Sequence, residues 1–276
     1  MRKVDLTELS WHRNDIAGSS VGSLYKATQL ENGVCLYYKL SRYMGGRLVG
    51  HEAINEVIVS RLLDVLELEH TSYDLIDAAV SIKGITFRAP VCVCEEYKHD
   101  DEEAIPFCDL FEEESLEAYE WCHTNGFGSQ IDTQILVDFI INNTDRHGAN
   151  TELLKTQEKW TRLAPIFDNG ASFVYSSGNN LKSIIASDPM YDYPAGNSIG
   201  SSSLFKNLNL IQQPIPVSPL TEKRRSFIFR DLSRVISRVH LDKIWEFIWR
   251  RYNYAKDKNF LLEKERFATH TGLFNV

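Results

Sequence analysis

Residues 142–150 read N-N-T-D-R-H-G-A-N, and after a short spacer residues 163–173 read L-A-P-I-F-D-N-G-A-S-F. The first piece sets Asn150 five residues after Asp145. The second places Asp168 in an apolar, strand-like run that ends in Asn169-Gly170. Carboxylate and side-chain amide oxygens are hard donors, and magnesium takes one or two of them while keeping phosphate oxygens and water. Taken singly, each piece has a plain explanation. Asp, Asn and Gly gather in turns for backbone reasons, and short motifs match by chance. Order carries more information. Residues 130–143, with I-D-T-Q-I-L-V-D-F-I-I-N-N, read as a buried helix that delivers Asp145. Thr151–Leu154 and Trp160–Phe167 read as a hairpin around K-T-Q-E-K, which would bring Asn150 and Asp168 together.

Upstream, residues 18–27 read G-S-S-V-G-S-L-Y-K-A. Gly18 and Gly22, interleaved with Ser19, Ser20 and Ser23, would let backbone amides approach phosphate oxygens in a loop between two strands of a small antiparallel sheet. No G-K-[ST] ends the stretch, so it is not a Walker A loop. Asn32-Gly33 is a hairpin turn, followed by V-C-L-Y-Y-K-L-S carrying Lys39. Residues 51–68 read as a helix with Ile54, Val57, Ile58, Leu62, Val65 and Leu66 on an apolar face, and with Glu52 and Glu56 sharing a side. Strands are expected at 73–80 and 82–97, with a turn at Lys83-Gly84. Composition then shifts at K-H-D-D-D-E-E-A. The acidic run Asp100–Glu103 reads as solvated linker. A helix is expected over Glu113–His123. Residues 176–219 read as a long irregular excursion, and 222–267 as two or three helices with a core stripe of Trp245, Ile248, Trp249 and Tyr252.

An Asp followed five residues later by an Asn is the spacing of a kinase catalytic loop, where the Asp acts on the acceptor hydroxyl and the Asn holds magnesium. D-R-H-G-A-N followed by I-F-D-N-G resembles the HipA-type serine/threonine kinases and, more widely, the phosphatidylinositol 3/4-kinase-like fold. There a D-R-H-x-x-N loop precedes an I-x-D-x-G-type metal strand. Asp precedes Arg-His here, whereas ordinary protein kinases have His-Arg-Asp. The landmarks cover roughly Gly18 to Phe173.

The resemblance implies a bilobal α+β fold, with a β-rich N-lobe at 1–97, a hinge at 98–105 and a mainly helical C-lobe at 106–276. It implies ATP and magnesium. Asp145, Lys39 and Asn150 would be the catalytic residues, with Asn150 and Asp168 as metal ligands and Lys39 as the phosphate lysine, for which Arg42 and Lys26 are alternatives. Glu56 would pair with Lys39. Glu95, Glu96 and Tyr97 would meet adenine, and Gly18, Ser19, Ser20, Gly22 and Ser23 would cover the phosphates. Those three serines would then be open to autophosphorylation. Arg146 and His147 would brace the loop. Family members include bacterial toxins that phosphorylate aminoacyl-tRNA synthetases and are held by a DNA-binding antitoxin. The implied partners are therefore a protein Ser/Thr acceptor, such as a synthetase, and an antitoxin-like protein. Two other readings stay open: a nucleotide-binding pseudokinase, and a phosphoinositide kinase.

Composition bounds the rest. A net charge of -8 over 276 residues argues against broad nucleic-acid binding through phosphate contacts. No apolar run approaches the ~20 residues that cross a bilayer, and residues 1–10 lack the apolar core of a signal peptide. A cytoplasmic, membrane-free protein is expected. The five cysteines (35, 92, 94, 108 and 122) are odd in number and scattered. They read as buried reduced thiols, with Cys92 and Cys94 on one strand face.

Overall fold

The fold is that of a computed structural model, described over residues 1–13, 24–44 and 46–264. Gly18, Ser19, Ser20, Gly22 and Ser23 lie outside the described residues. The chain opens with β1 (Lys3–Leu6), β2 (Lys26–Glu31), β3 (Val34–Leu40) and the small ribbon β4 (Tyr43–Met44) and β5 (Arg47–Leu48). Helix α1 (Glu52–Leu66) precedes β6 (Asp74–Ile82) and β7 (Ile85–Glu95). Strands 1, 2, 3, 6 and 7 form one sheet in the order β1-β6-β7-β3-β2, antiparallel except for the β1–β6 pair. Its hairpins turn on residue pairs with positive φ, Asn32-Gly33 and Lys83-Gly84. That conformation matches the strand twist and suits Asn and Gly. Among the described residues, the strand expected ahead of the glycine-rich loop is seen as one bridge, His12 to Lys26.

Helix α1 is buried almost all round, with Ala53, Ile54, Val57, Ile58, Val59, Leu62, Leu63, Val65 and Leu66 in the core. A β-branched run such as Val57 to Val59 is a modest helix former. Burial outweighs propensity because α1 lies between two walls. One wall is the sheet, through Cys92 and Cys94. The other is the helical part, through Leu136, Phe139, Ile228 and Ile244, in a single core cluster. Polar residues on this helix therefore sit in the interior, where each needs a partner.

After the sheet come β8 (Glu103–Pro106), α2 (Glu117–Thr124), α3 (Gly128–Ile141), β9 (Asp145–Arg146), β10 (Glu152–Lys155) and β11 (Trp160–Leu163). Strands 10 and 11 are the expected hairpin, and β8 pairs with β10 on its other side. Glu103–Ile105 is therefore strand rather than linker. Glu102 corrects the solvated reading of its acidic run. Despite burial, the Arg162 guanidinium 2.7 Å away, with the His99 amide and Thr161 hydroxyl, holds its carboxyl down to about 2. Helix α2 starts four residues later than expected. Glu114 takes a positive φ of 53°, and the Glu113 carboxylate is used elsewhere, on Gly148.

Residues 176–219 are less irregular than their composition suggests. They hold α4 (Leu181–Ala186), β12 (Gly196–Asn197), α5 (Leu204–Leu208) and β13 (Ile215–Val217). The Asn180 and Ser203 side chains cap α4 and α5, as Asn and Ser do at helix starts. The chain continues through α6 (Arg225–Ile228), α7 (Arg238–Asp257) and β14 (Leu261–Glu263). Trp245, Ile248 and Tyr252 of α7 are buried and Trp249 is partly so. Strand β12 pairs with β9 and so lies alongside Asp145. All five cysteines are free. Cys92, Cys94 and Cys122 are buried, but Cys35 is half-buried and Cys108 is exposed, against the expectation of burial. Among the described residues, no helix is long and apolar enough to cross a membrane.

Candidate active site

Lys39, on β3, is buried, and its ammonium makes three contacts. It donates to Glu56 Oε1 at 3.0 Å, to Asp168 Oδ1 at 3.1 Å and to the Tyr73 hydroxyl at 3.1 Å. Burial disfavours its charge, yet the two carboxylates outweigh that and hold the ammonium well above its ordinary range. For Asp168 burial again opposes ionisation, and Lys39 and Lys26 again overcome it, so the carboxyl lies well below the usual range. Burial pushes Glu56 upward, with Lys39 working against the shift. The second oxygen of Glu56 accepts from the Asn169 amide at 2.8 Å. One α1 carboxylate thus grips both the strand lysine and the turn that carries Asp168.

That turn is more than a loop. Asp168 has a φ of 53°, a left-handed conformation that Asp tolerates better than most residues. A Cβ on Gly170 would stand 3.0 Å from the Glu52 Cβ, so the glycine lets the turn lie directly on α1. Asn55, one residue before Glu56, donates to the carbonyls of Gly170 at 2.8 Å and Ser172 at 3.2 Å.

The loop bearing Asp145 is built by its own sequence. Asn142 ends α3 in the left-handed conformation and donates to the Phe173 carbonyl. Asn143 donates to Asp138 and accepts from the Asp145 amide. Arg146 is buried. It meets both Asp138 oxygens and also donates to the carbonyls of Asn150 and Phe167 and to Asn169 Oδ1. Its guanidinium therefore fixes the loop to the D-N-G turn, the bidentate geometry that only Arg supplies. His147 accepts from the Ala149 amide and sits 3.9 Å from an Asp145 oxygen. Asn150 donates its amide nitrogen to the Asp145 carbonyl at 2.8 Å. That contact orients the side chain and leaves its oxygen, the atom a hard cation takes, without a protein partner among the described residues. Asn150 oxygen and the Asp168 carboxylate suit magnesium by donor type. No group of three or more His, Cys, Asp or Glu residues that could hold a metal occurs among the described residues, so bound phosphate and water would have to complete the shell.

Beside this junction is a cavity of about 410 Å³, lined by Lys26, Tyr37, Lys39, Glu96, Tyr97 and Asp168 among others. Tyr97 stacks on Phe167 with ring centroids 5.5 Å apart. Glu95, Glu96 and Tyr97 all line the cavity. The Tyr97 backbone, however, is engaged within the chain. Its amide donates to the Glu96 carboxylate, and its carbonyl accepts from Arg162.

Lys39, Glu56 and Asp168 are therefore in one network, with Asp145 and Asn150 joined to it through Arg146. Arg42 is elsewhere, with its amide on Glu52. Asn55, Tyr73 and Asp138 were not legible as site residues. Asp138 carries a faint signal, an acid inside an apolar helix run, which a buried charge partner explains. Tyr73 and Asn55 carry none.

No protein-family model matches the chain, and no curated protein matches it. Solved structures do. The Helicobacter pylori proinflammatory kinase CtkA aligns over 94% of this chain and 96% of its own, at 14% identity and a TM-score of 0.59. HipA from a Shewanella oneidensis toxin–antitoxin system, solved with HipB and operator DNA, aligns over 89% of this chain and 67% of its own, at 15% identity and a TM-score of 0.48. The α+β fold is thus shared with the kinase CtkA, a kinase fold as the order of sequence landmarks suggested.

Burial raises the Asp145 carboxyl from 3.8 to about 6, with His147 opposing the shift and Asp168 adding to it. Between these values the folded chain holds a proton that the unfolded chain has shed. Stability therefore falls as pH rises through this window, and the loss is complete above pH ~6. In the metal-free protein, Asp145→Asn should be more stable than the parent at pH 7.5, on the order of 1–3 kcal/mol. At pH 5 the gain should shrink. Urea midpoints at the two pH values check this; an equal or lower midpoint for the variant at pH 7.5 would show that Asp145 is not strained.

Proposed function

We propose that the chain is an ATP- and magnesium-dependent kinase that transfers the terminal phosphoryl group to a protein serine or threonine hydroxyl. The observation that carries the reading is the three-way contact of Lys39 with Glu56 and Asp168, locked to the Asp145 loop by Arg146. In this reading residues 1–97 are the N-lobe, 98–105 the hinge and 106–276 the C-lobe.

Phosphoryl transfer needs positioning and charge neutralisation more than covalent chemistry. Lys39 keeps its charge in a buried setting and presents it to the phosphates, its direction fixed by Glu56. Asn150 and Asp168 would hold magnesium, which when bound neutralises phosphate oxygens. Asp145 receives the acceptor hydroxyl, and a carboxyl raised to about 6 is a better proton acceptor near neutral pH than an ordinary aspartate. Arg146 and His147 hold the loop. The Tyr97 amide reaches a nucleobase only if the Glu96 carboxylate turns aside, so base contacts fall first to the cavity's side chains. A protein acceptor and an antitoxin-like partner belong to the proposal through the resemblance alone.

Two predictions follow from these roles. Magnesium and ATP together should raise the melting temperature of the parent. Asp168→Asn should abolish most of that shift. Asp145→Asn should keep it while lowering phosphoryl transfer by ~10²–10⁴-fold. Transfer at the parental rate by Asp145→Asn would remove the catalytic assignment, and loss of nucleotide binding in that variant alone would exchange the two roles. In addition, Ser19, Ser20 and Ser23 are expected to accept phosphate in cis and thereby inhibit, since a phosphate of about -1.5 to -2 charge repels the nucleotide. Mass spectrometry of the active protein after prolonged incubation with ATP reads this out, and unmodified serines would exclude it.

A further inference from the structure

Lys26, which with Lys39 and Lys98 supplies the cations lining this cleft, has so far been given no part in binding a ligand. The β2–β3 register sets Lys26 directly opposite Lys39, and directly opposed residues of an antiparallel pair share one face of the sheet. Two ammonium groups thus emerge side by side into the same cavity, which both residues line.

Their surroundings differ. Lys39 is buried among Glu56, Tyr73 and Asp168. The Lys26 side chain is 49% exposed, and its ion pair is with Asp168 Oδ2 at 3.8 Å, the oxygen opposite the one that Lys39 takes. The Lys26 backbone is tied down by reciprocal amide–carbonyl bonds to His12, both 2.8 Å. The residue is therefore anchored at its base and loosely held at its tip. The formal charges of Lys26, Lys39, Glu56 and Asp168 cancel. A divalent cation on Asp168 would leave positive charge in excess and weaken the hold on Lys26, whereas Lys39 keeps Glu56. A lysine freed in this way next to a triphosphate has an obvious anion to meet.

The geometry points to Lys26 as a second phosphate-binding lysine, one that engages the terminal phosphate of a nucleoside triphosphate while Lys39 holds the phosphates nearer the base. Terminal rather than inner contact follows from position: Lys26 stands at the solvent rim, three residues after Ser23, whereas Lys39 lies deep beside α1. The inference rests on the kinase reading of this cleft and goes beyond it, because that reading needs only Lys39.

The test is calorimetric titration of the intact chain with magnesium–ATP and with magnesium–ADP, for the parent, Lys26→Met and Lys26→Arg. Methionine keeps the apolar stem and removes the charge; arginine keeps the charge. Unliganded melting confirms that each variant folds. Loss of one charged hydrogen bond should weaken ATP binding of Lys26→Met by about 10- to 100-fold and ADP binding by less than about threefold, with Lys26→Arg restoring most of the ATP affinity. Parental ATP affinity in Lys26→Met, or an equal loss for ATP and ADP, overturns the assignment. If the parent binds neither nucleotide, the kinase reading falls and this inference with it; if the parent binds both and Lys26→Met is unaffected, only Lys26 is lost.

Discussion

The contact of Lys39 with Glu56 and Asp168 is the constraint on which the rest of the molecule depends. It joins β3, α1 and the turn after β11, elements whose residues lie 17 and 129 positions apart in the chain. Charges buried this way are costly unless each is paired, and removing one member of such a group typically costs ~3–5 kcal/mol. The chain meets that requirement by completeness. Glu56 spends one oxygen on the lysine and the other on the Asn169 amide. Asn55 holds the next stretch of the same turn. The sheet, the central helix and the D-N-G turn are thus registered to one another by polar contacts inside an otherwise apolar seam, where packing alone would allow α1 to slide.

Arg146 is the second such junction and works on the other side of the turn. Bidentate pairing with Asp138 anchors it to α3, and its remaining donors reach Asn150, Phe167 and Asn169. Asp145 therefore rides on a loop that has little freedom, where burial raises its carboxyl and the Asp168 carboxylate adds to the shift. A buried carboxylate of this kind is destabilising for the fold and useful for chemistry, since its surroundings set its proton affinity before any substrate arrives. The same economy explains the two asparagines at 142 and 143. One ends the helix, and the other bridges Asp138 to the Asp145 amide.

Much of this was legible in the sequence because the landmarks are local. Asp145 and Asn150 share a loop, Lys39 follows a clear hairpin turn, and Glu56 lies on a helix whose period is unmistakable. What was not legible depends on pairings that leave no periodic trace. Nothing around Asn55 or Tyr73 distinguishes a buried partner from an ordinary helix or strand residue. Glu102 looked solvated because its neighbours are, yet Arg162, sixty residues away, takes it out of water. The late start of α2 turns on Glu113 being needed at Gly148. Propensity also misjudged residues 176–219, where Asn180 and Ser203 act as helix caps rather than as signs of a loop. The glycine and serine residues 18–23 lie outside the described residues.

In the function proposed above, the Asp168 carboxylate and the Asn150 side-chain oxygen together form a nucleotide-dependent metal site. Manganese replaces magnesium at such oxygen sites and scatters anomalously. The most direct measurement is an anomalous difference map from crystals grown with manganese and a non-hydrolysable ATP analogue. A peak within bonding distance of both Asp168 and Asn150, with the Lys39–Glu56 contact retained, is the predicted result. A map in which manganese sits elsewhere, or in which the analogue occupies the cavity while Asp168 stays bound to Lys39 and Lys26 with no metal beside it, would contradict the account.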